Sequence, residues 1–166
     1  FVKTLKPVMG GKELSVTGVA WSDVWSDAYI SKMADYVDMI NIMLYDTGGP
    51  ASWEPYVIHT PAQYSELWKN TVIRFSNAIK KSNNPNCKLA PTMPCYDKRI
   101  DRASGVPYHD PAIENIKNAS IGLKAGIASG ANVYGTGVFW WGLLISERLD
   151  KYGHDYSVDR GYWKEW

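Results

Sequence analysis

The chain has 166 residues, 45% hydrophobic and 21% charged, with a formal net charge of +1. This length suits one folded domain with a real core, and the near-neutral balance gives no electrostatic footing for nucleic acid or an anionic membrane surface. No apolar run approaches the ~20 residues that span a bilayer, no basic-then-apolar leader is present, and the start at Phe1 rather than Met points to a piece processed or excised from something longer.

In chain order, the first strand is expected over residues 13–21, "ELSVTGVAW", followed by the loop "SDVWSD". Asp27 is expected to cap a short helix, "AYISKMADY". The second strand is expected over 37–45. Ile40, Ile42 and Leu44 fall on one face, and Met39, Met43 and Tyr45 on the other. Apolar residues on both faces suit a parallel sheet covered by helices. A loop rich in Gly, Pro and aromatics then leads to "TPAQ". There Thr60 is a capping residue, Pro61 suits the first helical position and Gln63 completes a capping box. Tyr64, Leu67, Trp68, Val72, Phe75 and Ile79 recur at three- and four-residue spacing, which predicts a long helix ended by "SNNPN". The third strand is expected over 87–97, "CKLAPTMPCYD". Asp110 and Pro111 are expected to start a further helix with Ile113, Ile116, Leu123 and Ile127 on its buried side, stopping at Gly130. The fourth strand is expected over 137–145, "GVFWWGLLI", and 150–166 reads as an irregular tail. Cys87 and Cys95 lie eight apart in the expected third strand, about 26 Å at ~3.3 Å per residue. A disulfide needs less than about 7 Å between Cα atoms, so two unpaired, buried thiols are expected.

Strands alternating with helices imply parallel βαβ units, an α/β fold whose ligand crevice lies at the carboxyl ends of the strands. Those ends are rich in Trp, Tyr and Asp. The chain has 8 Trp and 11 Tyr against 3 Phe, side chains that join a flat apolar face to a polar edge and stack on ligands such as sugar rings. His59, His109 and His154 are scattered with no ligand spacing, so no metal site is expected.

The segment "DMINIMLYD", 38–46, resembles the sixth strand of glycoside hydrolase family 18, the chitinases and endo-β-N-acetylglucosaminidases. "KLAPTMPCYD" resembles that family's seventh strand, "GVFWW" its eighth, and "ELSVTGVAW" its fifth. The resemblance spans residues 13–141 in the family's order. It implies the carboxyl-terminal half, about four β/α units, of a TIM (β/α)8 barrel, as one partial domain over 1–166. It also implies substrate-assisted retaining hydrolysis of an N-acetylglucosamine-containing glycan, in which the sugar's own acetamido oxygen attacks the anomeric carbon. By the same resemblance Tyr45 would hydrogen-bond the N-acetyl oxygen and Asp46 would contact the sugar at the cleavage point. Asn41 and Met43 would share Tyr45's face, with Met43 flooring the pocket, and Trp141 would stack under the ring. Trp21, Trp25, Trp53 and Tyr96 would supply stacking surfaces, although local packing is the more ordinary explanation of each loop Trp taken singly. No cofactor is implied, and an extracellular setting is the family's usual one.

The family's acidic run, Asp-x-x-Asp-x-Asp-x-Glu, which ends in the general acid, does not occur here. A complete barrel also takes ~250 residues. The chain is therefore expected to work with an amino-terminal half of the same barrel. The other possibilities are a half-barrel that closes its edges by self-association and a non-catalytic, lectin-like relative that binds the same glycan.

Overall fold

A computed structural model of the chain describes residues 1–50, 57–96 and 98–139. It is an α/β protein built on a parallel sheet. A one-turn helix, α1 (Val2–Leu5), is followed by β1 (Ser15–Val19), α2 (Asp27–Ala34), β2 (Met39–Met43), α3 (Pro61–Lys80) and β3 (Lys88–Pro94). Two short strands, β4 (Arg99–Ile100) and β5 (Pro107–His109), pair antiparallel; α4 (Ile116–Ala128) and β6 (Gly137–Phe139) close the described part. The sheet order is β1-β2-β3-β6. The four expected strands are all found, within shorter bounds; residues 140–145 of the fourth and the 150–166 tail lie outside the described residues. Among the described residues no helix is long and apolar enough to cross a membrane.

The chain divides into two compact units. The first comprises 1–43, 69–92 and 124–137, and its core is Ile30, Ala34, Val37, Ile40, Ile42, Val72, Phe75 and Leu89. β1, β2 and β3 run parallel, with Thr17, Asn41 and Ala90 in one register row and Gly18, Ile42 and Pro91 in the next. Parallel strands in register put paired side chains on the same face. Ile40 and Ile42 are fully buried, while Met39, Asn41 and Met43 are half-buried and Ser15 and Thr17 exposed. Only one face of β2 is thus sealed, which corrects the expectation of burial on both faces. The hydrophobic pattern of Met39 and Met43 reported apolarity there, not coverage.

Loop chemistry accounts for the other boundaries in this unit. Ser26, not Asp27, caps α2: its hydroxyl accepts the Tyr29 N–H at 3.2 Å, and Asp27 is the first helical residue, where its charge favours the helix N-terminus. Trp25 is 8% exposed, stacks on Phe75 and meets Tyr29 edge-on. A Cβ at Gly18 would come within 2.4 Å of its ring. Trp25 is therefore a core residue rather than a sugar platform. The Arg74 guanidinium fastens the same loop by donating to the carbonyls of Ala20 (2.7 Å) and Trp25 (3.0 Å). Trp21 is half-buried beside it. Cys87 is free and buried, and burial pushes its thiol up to about 11.

The second unit comprises 44–68, 93–123 and 138–166, described here for 44–50, 57–68, 93–96, 98–123 and 138–139. Its buried side chains include Leu44, Tyr64, Trp68, Met93, Ile116 and Leu123. Thr60 caps α3 as expected, its hydroxyl accepting the Gln63 N–H at 3.2 Å; the Gln63 carbonyl oxygen reaches back to the His59 N–H at 3.0 Å. Cys95 is also free and buried. α4 begins six residues later than Asp110 suggested. Asp110 instead caps a tight turn, accepting the Ala112 N–H at 2.9 Å, and Asn115 caps the helix by accepting the Asn118 N–H at 2.9 Å. Ile116 and Leu123 face inward as expected, but Ile113 is half-buried and Ile127, at 45% exposure, is on the surface. The helix stops at Gly130, whose φ of +93° suits a residue without a Cβ.

Candidate functional site

Two strand ends of the second unit bring the titratable side chains together. Leu44, Tyr45 and Asp46 follow β2, and Cys95 and Tyr96 follow β3. Side chains alternate across an extended segment, so Leu44 is buried while Tyr45, like Met43 and Asn41 before it, is half-exposed. At Asp46 the backbone turns into the left-handed region, with φ +59°, a conformation that Asp tolerates better than most residues. The turn lifts the carboxylate out of the strand path, leaving 39% of the side chain open to solvent. The Tyr96 hydroxyl donates to Asp46 Oδ1.

The following loop is drawn against β5. The Gly48 N–H donates to the Tyr108 carbonyl at 2.9 Å, and a Cβ at Gly48 would fall 2.8 Å from the Pro107 carbonyl oxygen. That close approach sets His109, the last residue of β5, beside Asp46. Its imidazole is fully buried and stacks on the Tyr96 ring, with centroids 4.0 Å apart. His109 Nε2 lies 3.2 Å from the Tyr96 carbonyl, which can only accept, so Nε2 carries a hydrogen. Nδ1 faces two carboxylates, Glu114 Oε2 at 3.4 Å and Asp46 Oδ1 at 3.5 Å. Neither approach has hydrogen-bond geometry, and Nδ1 has no hydrogen-bond partner among the described residues. Glu114, 2% exposed, sits in the turn before α4 and accepts the Thr47 N–H at 3.1 and 3.2 Å.

The electrostatics follow from this packing. Burial raises the Asp46 carboxyl above its ordinary value, as does the Glu114 charge; the Tyr96 hydrogen bond and the positive character of His109 and Arg99 pull it down, and burial prevails. Burial pushes the Tyr96 hydroxyl far up, and its bond to Asp46 pushes further, so Tyr96 is purely a donor here. Tyr45 is raised by burial and then by the Asp46 charge. A carboxyl raised on folding favours the protonated form of the folded state. Its contribution to stability is complete below the ordinary value of 3.8 and is lost as pH rises through the raised value. The isostere Asp46→Asn keeps an acceptor for Tyr96 and tolerates the left-handed backbone. It is expected to melt above the wild type at pH 7, with the gap closing as pH falls below 3.8. Melting curves across pH check this, and a wild type that gains on the variant as pH rises would reverse the sign.

Of the residues singled out from the sequence, Tyr45, Asp46 and Tyr96 come together. Tyr96 is not a stacking platform as expected: it is 4% exposed, with one ring face against His109 and Tyr45 and Phe139 meeting it edge-on. Among the described residues, Phe139, 42% exposed and stacked on Tyr45 at 5.0 Å, adds aromatic surface here. Asn41, Met43 and Trp21 belong to the first unit. Trp53 and Trp141 lie outside the described residues. His109 and Glu114 were not identified as site residues from the sequence, and only Glu114's place within an apolar stretch, "PAIENI", hinted at burial. Among the described residues no group of three His, Cys, Asp or Glu is disposed to hold a metal ion. No family model, curated protein or solved structure matches the chain.

Proposed function

We propose that this chain is the carboxyl-terminal half of a TIM barrel that acts on N-acetylglucosamine-containing glycan by substrate-assisted, retaining hydrolysis, with the general acid supplied from outside the chain. The observation that carries this is the paired strand end: Asp46, lifted into solvent and held by the buried Tyr96 hydroxyl, directly follows the half-exposed Tyr45. Substrate-assisted chemistry asks the protein for groups that hold the acetamido arm in its attacking pose rather than for a nucleophilic carboxylate. A phenol donor beside an anchored carboxylate suits that task. Tyr45 would donate to the acetamido oxygen, and Asp46 would accept from the sugar. By the family resemblance, Trp53 and Trp141 would add binding surface.

The half-buried face of β2 also supports completion of the barrel by a partner, an amino-terminal half being favoured over a second copy, because a closed barrel would cover it. One observation favours the non-catalytic, lectin-like alternative for this chain by itself. Glu114, the glutamate beside His109, is buried and occupied by the Thr47 N–H, so it cannot reach a leaving group.

Calorimetric titration with tri-N-acetylchitotriose, together with release of fluorophore from a chitobioside, tests the proposal. The chain alone is expected to bind the trisaccharide without cleaving the chitobioside. Tyr45→Phe and Asp46→Asn should each lower affinity about tenfold, the loss of one good polar contact, while the fold is retained. Absence of binding would sink the glycan assignment, and cleavage by the chain alone would sink the external acid.

A further inference from the structure

The polar cluster of the second unit contains more than the paired strand end requires. A fully buried imidazole donates from Nε2 to the Tyr96 carbonyl, so its Nδ1 stands as a second nitrogen between two carboxylates. A bare ring nitrogen beside two charged oxygens is repulsive, whereas a proton on those contacts turns both into attractive, charge-assisted interactions. The burial of Glu114 points the same way, since a carboxylate closed off from water needs a positive or proton-bearing neighbour besides the Thr47 N–H.

We propose that His109 is a positioning residue, backed by Glu114, that holds a proton against Asp46 and fixes that carboxylate toward a bound N-acetylhexosamine. The ring is well suited to the role. It is clamped between the Tyr96 ring and the Glu114 carboxylate, and the same tyrosine that stacks on it bonds Asp46 through its hydroxyl. Asp46 is thus approached from two directions by groups packed against each other. Among the described residues, the charged and titratable groups around Asp46 are His109, Glu114, Tyr96, Arg99 and Tyr45; Arg99 lies over the Tyr96 ring, 5.8 Å from its centre. Of these, His109 connects the solvent-facing carboxylate to the buried one.

The orientation toward sugar rests on the glycan reading above; the proton link between His109 and Asp46 does not. The test therefore follows the Asp46 side-chain carboxyl by carbon NMR across pH, without sugar, in the wild type and in His109→Gln. Glutamine can still donate to the Tyr96 carbonyl but places nothing between the carboxylates. The Asp46 midpoint is expected to rise by about one pH unit in the variant, the size of effect a close opposite charge exerts, and affinity for tri-N-acetylchitotriose to fall about tenfold. Equal midpoints would overturn the proposal even if the trisaccharide binds both proteins. A shifted midpoint with no trisaccharide binding by the wild type would uphold the link and remove the glycan reading. Should His109→Gln fail to fold, the wild-type imidazole decides by itself. A strongly deshielded proton coupled to Nδ1 supports the link, and an Nδ1 signal typical of a bare nitrogen overturns it.

Discussion

Gly122→Ala is expected to destabilise the protein by about 3 kcal/mol, the upper range for overpacking, and to lower the melting temperature by roughly 6–12 °C. The sign is opposite to helix propensity. In the middle of α4, alanine is favoured over glycine by about 1 kcal/mol. Yet a Cβ at Gly122 would lie 2.0 Å from the Ser65 carbonyl oxygen and 2.6 Å from the Trp68 Cβ. One obstacle is backbone and the other is the root of a fully buried Trp, so neither can swing away. The clash outweighs the propensity. Gly126→Ala is the internal comparison: its Cβ would meet Val72 Cγ2 at 2.3 Å, the tip of a side chain, and Lys69 O at 3.2 Å, so its cost should be smaller. Urea denaturation of the two variants checks the ranking. A Gly122→Ala protein as stable as the wild type would mean that α3 and α4 do not pack this closely.

Glu114→Ala is expected to cost up to about 3 kcal/mol, the penalty for leaving a buried donor without its acceptor. The substitution strips the Thr47 N–H of its acceptor and leaves His109 Nδ1 with one carboxylate instead of two. Glu114→Gln keeps an acceptor oxygen for the Thr47 N–H and should cost about 1 kcal/mol, the scale of one weakened hydrogen bond. The difference between the two variants in chemical denaturation therefore measures the acceptor role separately from the charge. Equal losses would assign the whole effect to the charge. No loss in either variant would remove Glu114 from the structural account of the loop after β2.

These two expectations concern residues that the linear pattern treats very differently. Gly122 sits inside a helical pattern where glycine is unfavourable by itself, so its presence hints at a close contact without naming the neighbour. Glu114 is an acidic residue near an expected helix start, where a carboxylate is ordinarily a solvated complement to the helix dipole. In the structure the helix starts at Ile116, with the Asn115 side-chain oxygen accepting the Asn118 N–H, and Glu114 lies in the preceding turn, buried against the Thr47 N–H. A shift of a few residues at one helix end thus converts a surface charge into a buried one.

The features that local chemistry dictates could be read directly from the chain. The alternation of Ile40, Ile42 and Leu44 with Asn41, Met43 and Tyr45 needs only the two-residue period of a strand. The Thr60–Gln63 cap and the stop at Gly130 need only backbone groups within a turn. Tyr45 and Asp46 at a strand end belong to the same class, since they are adjacent in the chain. What required the tertiary structure was the company those two residues keep. Asp46 meets Tyr96 across 50 residues and Thr47 meets Glu114 across 67. No periodicity links positions so far apart; they are brought together by the parallel order of β2 and β3 and by the approach of β5 to Gly48. For the same reason Tyr96 looked like an open aromatic and proved buried: its exposure depends on His109 and Phe139, which arrive from elsewhere in the chain. Local sequence placed Tyr45 and Asp46 at the end of a strand, and the crossing of distant segments decided which side chains Asp46 meets.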